Sequence, residues 1–115
     1  MFKKLRTVIY HVNDIEAAKA WYIKATGIKP YFDDAMYVGF DINGFELGLD
    51  PDPKFFSKGN NSVSYWAVDD AEKAAKKLTD IGGKLVQPRS NVGGDIHVAI
   101  VEDPFGNHIG LIEGA

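Results

Sequence analysis

The sequence predicts an α+β fold made of two βαβββ modules in tandem. The chain is written twice: Thr7-Val8-Ile9-Tyr10-His11-Val12-Asn13-Asp14-Ile15-Glu16 reads like Val63-Ser64-Tyr65-Trp66-Ala67-Val68-Asp69-Asp70-Ala71-Glu72, at an offset of 56 residues that also carries Gly27 onto Gly83. Each copy runs from an apolar strand pattern into an acidic helix start, through a helix, and on to glycine. Each copy also closes on two strand patterns joined by a turn, Asn43-Gly44 in the first and Asp103-Pro104-Phe105-Gly106 in the second. A unit of about fifty residues is too small to bury a good core alone. Two fused copies can share a sheet system and leave a concave, ligand-sized surface.

Within the first module, 1–50, residues 5–12 alternate as a strand. Asp14 is placed as an N-cap, and Glu16 favours the positive end of the helix dipole. Ile15, Ala18, Trp21, Tyr22 and Ala25 form one helical face. Gly27 suits the left-handed C-terminal position. A short strand is expected at 29–33. Tyr37–Ile42 and Phe45–Leu49 then flank Asn43-Gly44, the strongest short hairpin signal, a two-residue type I′ turn. The linker, 51–61, is rich in turn formers from Asp50-Pro51-Asp52-Pro53 to Asn60-Asn61. Its Phe55-Phe56 pair is expected to pack it onto the body. In the second module, 62–115, a strand runs at 62–68. A helix capped by Asp70 carries Ala71, Ala74, Ala75, Leu78 and Ile81 and ends at Gly82-Gly83. A short strand follows near 84–87. Pro88–Asp95 reads as a loop hinged at Gly93-Gly94. Strands at 96–102 and 107–113 are joined by a type I turn with glycine last.

Hairpin geometry assigns the faces, because opposed residues of an antiparallel pair share a side. In the first hairpin 42 faces 45, 41 faces 46, 39 faces 48 and 37 faces 50. Val38, Phe40, Ile42, Phe45, Leu47 and Leu49 then lie under the helices, and Tyr37, Gly39, Asp41, Glu46, Gly48 and Asp50 lie on the open side. In the second, Glu102 is expected to face Asn107, 101 to face 108, 99 to face 110 and 97 to face 112. The core side is then Ile96, Val98, Ile100, Ile109 and Leu111. The open side is His97, Ala99, Val101, His108, Gly110 and Ile112. Gly39, Gly48, Ala99 and Gly110 vacate volume in mid-strand, which marks close approach of a ligand or of another backbone.

Bulk properties exclude several functions. The 115 residues suffice for one compact domain or two packed half-domains. Net charge is −3, from 13 basic and 16 acidic residues, and no basic cluster favours nucleic acid. There is no cysteine, so disulfides, thiol catalysis and thiolate metal sites are excluded. No apolar run is long enough to span a membrane. Met1-Phe2-Lys3-Lys4 is not followed by a signal-peptide core, so a cytoplasmic location is expected.

Several stretches carry a family resemblance. They are Val12-Asn13-Asp14-Ile15-Glu16-Ala17-Ala18 with Trp21-Tyr22, then Val68-Asp69-Asp70-Ala71-Glu72, then Gly82-Gly83. The strongest is Val101-Glu102-Asp103-Pro104-Phe105-Gly106-Asn107-His108-Ile109-Gly110-Leu111-Ile112-Glu113. Together they resemble the vicinal oxygen chelate superfamily, which includes the glyoxalases, bleomycin-resistance proteins, fosfomycin-resistance enzymes and extradiol dioxygenases. The resemblance implies modules curled into half-barrels with helices on the convex side, usually completed by dimerisation. It also implies four strand positions that give His, Gln, Glu or Tyr ligands to one divalent ion in metal-dependent members. Here those positions fall on Thr7, Val63, Gly110 and Gly48, or on Glu46 in place of Gly48 under a shifted match. Val and Gly offer no side-chain donor, and a neutral Thr hydroxyl is a poor lone ligand. The expectation is therefore no metal and no cofactor. The alternative is a divalent ion held elsewhere among His11, His97, His108, Asp41 and Glu46. His11 lies about 13 Å along the strand from Thr7, at roughly 3.3 Å per residue, and is a rim residue.

The expected function is a small-molecule-binding protein of the glyoxalase/bleomycin-resistance type, metal-independent, holding an organic ligand in the concave cleft as a homodimer. Its expected ligand-binding residues are Thr7, Ile9, His11, Tyr37, Asp41, Glu46, Gly48, Val63, Tyr65, Arg89, His97, Val101, His108 and Gly110. Tyr37 and Tyr65 could stack on a planar ligand, and Arg89 could hold an anionic one. Asp41 opposite Glu46 sets like charges across a ladder, which raises one pKa or invites a cationic group; solvation at the hairpin end is the simpler account. The alternative function is a glyoxalase-like lyase or isomerase using Glu46, His97 or His108 for proton transfer. A third is a non-catalytic domain that acts through dimerisation.

Overall fold

The computed structural model describes residues 1–54, 56 and 62–114. It has two compact units, Met1–Ser57 and Lys58–Ala115. Each is a four-stranded mixed sheet with one helix, and the sheets are not closed. The fold is α+β, a tandem of βαβββ modules. Phe55 and Asn60-Asn61 of the linker lie outside the described residues, and Phe56 is half-buried.

In the first unit, β1 (Thr7–His11), α1 (Ile15–Thr26), β2 (Phe32–Asp34), β3 (Tyr37–Ile42) and β4 (Phe45–Asp50) follow in order. The sheet order is β1-β4-β3-β2, with β1 parallel to β4 and the remaining pairs antiparallel. The Asp14 side chain accepts from the Ala17 N–H at 3.0 Å, capping α1. Gly27 closes the helix at φ 71°, a left-handed value. Asn43 and Gly44 both have positive φ, 51° and 93°, as a type I′ turn requires. The turn fixes the register at Asp41↔Glu46 and Gly39↔Gly48. Val38, Phe40, Leu47 and Leu49 are fully buried together with Ala18, Trp21 and Tyr22 of α1. Burying such side chains stabilises the unit by about 1.5–3 kcal/mol each. Trp21 packs edge-on against Tyr22, with ring centroids 4.8 Å apart.

In the second unit, β5 (Ser64–Ala67), α2 (Ala71–Asp80), β6 (Lys84–Gly93), β7 (Ile96–Glu102) and β8 (His108–Glu113) repeat this order. The sheet order is β5-β8-β7-β6. The parallel pairs of the two units match residue for residue, Ile9↔Gly48 in one and Tyr65↔Gly110 in the other. Asp70 caps α2 through the Lys73 N–H at 3.0 Å.

Two expectations are corrected here. The second hairpin is shifted by one residue, with Glu102 facing His108, Ile100 facing Gly110 and His97 facing Glu113. Its turn is a type I turn (Gly106 N–H to Asp103 O, 3.2 Å) followed by Gly106 at φ 94°. Such a left-handed glycine adds a bulge residue, so Asp103 pairs with Asn107 instead of Glu102 doing so. Buried Asp103 fastens the loop by accepting from the Phe105 and Asn107 N–H groups at 2.9 and 2.7 Å. A one-residue shift turns every β7 side chain over. Val101 and Ala99 are fully buried on the helix side, while Ile96, Val98 and Ile100 take the open side beside Gly110. The second correction concerns Pro88–Asp95. This stretch is not a loop, since β6 runs on to Gly93. It is an edge strand with register shifts at Leu85/Gln87, Gln87/Ser90 and Asn91/Gly93, the setting in which a sheet tolerates Pro88.

Candidate functional site

The open face of the first unit converges on Glu46. Strand alternation puts Thr7, Ile9, Tyr37, Gly39, Asp41, Glu46 and Gly48 on one side of the sheet. Thr7 lies directly beside Glu46 in the parallel ladder, and its hydroxyl donates to Glu46 Oε1 at 3.1 Å. The Tyr31 hydroxyl donates to Glu46 Oε2. Tyr37 supplies a further hydroxyl donor. Arg6 donates to Thr7 Oγ1 at 2.8 Å and stands 3.9 Å from Glu46 Oε1. These groups hold the Glu46 carboxyl below its ordinary range, the Tyr31 hydroxyl most strongly, then Tyr37, Thr7 and Arg6, against an opposing effect of burial. The tyrosines respond in the opposite sense. Burial, then the Glu46 carboxylate, pushes Tyr37 up to about 12, and Tyr31 is raised by its bond to Glu46. The centre is thus an anion clamped by neutral hydroxyls. Beside it, an open pocket of about 200 Å³ is lined by Arg6, Tyr31, Asp41, Gly44, Phe45 and Glu46.

Asp41 does face Glu46 across the ladder, but its Oδ1 accepts from the Gly44 N–H at 2.8 Å and so serves the turn. His11 stands at the other end of β1, level with Asp50.

The glycine hollows expected on the open faces are filled. A Cβ at Gly48 would collide with the Tyr37 hydroxyl, and one at Gly39 would come within 2.8 Å of Glu46 Oε2. At Gly110 it would stand 2.6 Å from Tyr65 Cδ1. The glycines make room for the protein's own tyrosines. Tyr37 lies over β4 from β3, and Tyr65 lies over β8 from β5. Phe32 extends the aromatic strip, 6.2 Å from Tyr37 between centroids.

The second unit distributes its predicted residues over both faces. Tyr65, His108 and Gly110 keep to the open side, and Val63 lies just before β5. His108 stands 3.7 Å from Glu102, the cross-strand position that Asp41 and Glu46 occupy in the first unit. His97 and Val101 are on the helix side, contrary to the sequence expectation, because of the shifted register, and Arg89, expected in a loop, lies on β6. The repeat mate of Tyr37 is consequently Val98, not His97. Arg89 grips Glu113 with two bonds, of 2.8 and 3.0 Å, and is not poised for a ligand. Glu113 Oε1 also accepts from the Ala71 N–H at 2.7 Å, tying β8 to the start of α2. Arg89 first, and then that N–H, pull the Glu113 carboxyl down to about 2. His97 contacts Asn91 Nδ2 at 3.3 Å and the Asp95 carbonyl at 3.3 Å.

Sequence reasoning missed Tyr31. It precedes β2, where alternation does not yet apply, and its place is fixed by its backbone bond to Gly39 O at 2.9 Å together with its hydroxyl bond to Glu46.

A family model, Glyoxalase/Bleomycin resistance protein/Dioxygenase superfamily, matches residues 4–111. The chain belongs to that superfamily. No curated protein sequence matches it. Among solved structures it is similar to a glyoxalase-related enzyme from Fulvimarina pelagi (TM-score 0.85, 18% identity, 98% of this chain and 89% of that one covered). A hypothetical protein from S. aureus superimposes with TM-score 0.77 at 22% identity, covering 98% and 94%. A genomically encoded fosfomycin resistance protein from Listeria monocytogenes superimposes with TM-score 0.80 at 14% identity, covering 100% and 96%. At these identities the likeness is one of fold.

The superfamily's metal chemistry does not fit this donor set. Of the four strand positions, Val63, Gly48 and Gly110 carry no donor, and Thr7 gives its hydroxyl proton to Glu46. Glu46, the shifted candidate, would be the lone charged donor of the set. Among the described residues no three His, Cys, Asp or Glu side chains gather as a metal site would require, and no helix is long and apolar enough to cross a membrane.

Proposed function

We propose that this glyoxalase-superfamily chain is a metal-independent binding protein for a small organic molecule, held on the open sheet faces. The observation that carries the reading is Glu46. Where a metal-dependent relative needs a lone pair for an ion, this carboxylate is engaged by three hydroxyls and an adjacent Arg6. Hydroxyl–carboxylate bonds organise a site without a metal and leave polar and aromatic edges for a ligand. Ile9 and Tyr65, at matching positions of the two open faces, are 45% and 49% exposed, large apolar surfaces that a ligand or a second copy of the chain would cover. We place the protein as a homodimer on that ground and on the family resemblance.

Glu46 supports binding over proton transfer. A general base works best with a pKa near the operating pH, and the Glu46 carboxyl is moved the other way. A lyase or isomerase reading would have to rest on His108 and its neighbour Glu102.

A thermal-shift screen of small organic compounds, run in parallel on untreated and chelator-treated protein, tests the proposal. A ligand at a hundred times its Kd should add about 2.7 kcal/mol of stability, equally in both samples. Stabilisation that appears only with added metal would contradict it, and so would a diverse screen without a single hit.

A further inference from the structure

We propose that the pocket at the Asn43-Gly44 end of the first unit takes the cationic head of an organic ligand, a protonated amine or an amidinium carried on a small flat group. The inference rests on the small-molecule reading above and adds to it the chemical class of the ligand.

Charge, exposure and shape agree at this pocket. The Glu46 side chain is only 14% exposed. Hydroxyl donors hydrogen-bond its oxygens without neutralising its charge, and the ion pair with Arg6 is long and solvated. Among the described residues the cation recorded beside it is Arg6, 3.9 Å away with 72% of its side chain in solvent. Asp41 adds a second carboxylate directly across the ladder. Like charges in that arrangement repel, and a cation between them relieves the repulsion. The walls suit the same guest. Tyr31, 61% exposed, borders the pocket and offers an aromatic ring to a cation, while Phe45, expected under the helix, is instead 56% exposed at the pocket's edge. An anionic guest would meet two carboxylates, and a neutral one would leave their repulsion in place. The volume of about 200 Å³ suits a head group more than a whole drug-sized molecule. The rest of the ligand can run along Phe32 and Tyr37.

Arg6 has a definite part in this arrangement. It is mostly solvated and lies at the mouth, so it competes with the guest for Glu46. Removing it should strengthen binding, an effect that a merely structural role would not produce.

Isothermal titration calorimetry with benzamidine, benzyl alcohol and benzoate on the full chain tests the proposal. Benzamidine is expected to bind in the submillimolar range and more weakly as salt is raised, with benzyl alcohol and benzoate clearly behind. Glu46→Gln should weaken benzamidine about tenfold, the loss expected of a partly buried charged partner. Asp41→Asn keeps an acceptor for Gly44 and should weaken it about threefold, as for an exposed charge. Arg6→Ala should tighten it. Thermal melts check that each variant folds; if Glu46→Gln does not, the other two decide. Equal binding of benzoate or benzyl alcohol would overturn the cationic class while leaving the small-molecule reading intact. No binding of any of the three probes, or benzamidine affinity indifferent to Asp41→Asn and Arg6→Ala, would overturn the pocket assignment, and the compound screen then judges the broader reading separately.

Discussion

Glu46 and Gly48 show how single residues decide what this open face can do. Glu46 was legible in the sequence as a strand carboxylate beside Asp41, with Thr7 and Tyr37 among the site residues, but Tyr31 was not, because it lies outside any periodic pattern. Gly48 was legible as a mid-strand glycine, yet its meaning was inverted. It accommodates Tyr37 and does not leave a free hollow, since what a glycine admits depends on neighbours that alternation does not name. Gly48→Ala should therefore destabilise the protein by about 1–3 kcal/mol through overpacking, although alanine is usually the better strand residue. Pairing it with Tyr37→Ser should recover much of that loss in a double-mutant cycle followed by urea unfolding. Glu46 makes a pH prediction. Its folded pKa lies below the ordinary 4.5, so its contribution to stability is present above that value and is lost as pH falls through the folded pKa. The stability difference between wild type and Glu46→Gln should be constant near neutrality and shrink on acidification below about pH 4.5.

Among the elements, the two hairpins make an instructive contrast. Asn43-Gly44 permits one turn, and the register deduced from it is the register observed. Asp103-Pro104-Phe105-Gly106 permits two. A type I turn closing directly would splay the strands, and the left-handed Gly106 corrects the twist by adding a residue. Reading that glycine as the end of the turn moved His97, Ala99 and Val101 to the wrong face. Gly106→Ala should cost about 1–2 kcal/mol, the penalty for a Cβ in the left-handed region, detectable as a lowered melting temperature. The edge strand β6 was missed because Pro88 and paired glycines look like a loop until an edge position makes them acceptable. Glu113 was read only as part of a motif, yet it joins β8, β6 and the first turn of α2 through Arg89 and Ala71. Its carboxyl is drawn down to about 2, so the stability it contributes is fully present above its ordinary 4.5 and disappears as pH falls through about 2. Glu113→Gln should be less stable than wild type at pH 7, with the gap closing toward pH 2 in denaturant titrations.

For the molecule as a whole, the duplication was the most legible feature. Helix caps, element order and the parallel pairings Ile9↔Gly48 and Tyr65↔Gly110 all follow the internal repeat. The repeat also shows how the halves have diverged. The Asp41–Glu46 position of one unit is Glu102–His108 in the other, so the hydroxyl-clamped carboxylate Glu46 has a histidine as its counterpart. The proposed metal independence rests on this divergence, and it is most directly tested by elemental analysis of untagged protein, as purified and after incubation with Zn²⁺, Ni²⁺ and Fe²⁺ followed by desalting. The account predicts substoichiometric metal in every sample. One tightly held ion per chain, lost on mutation of Thr7 or Glu46, would contradict it.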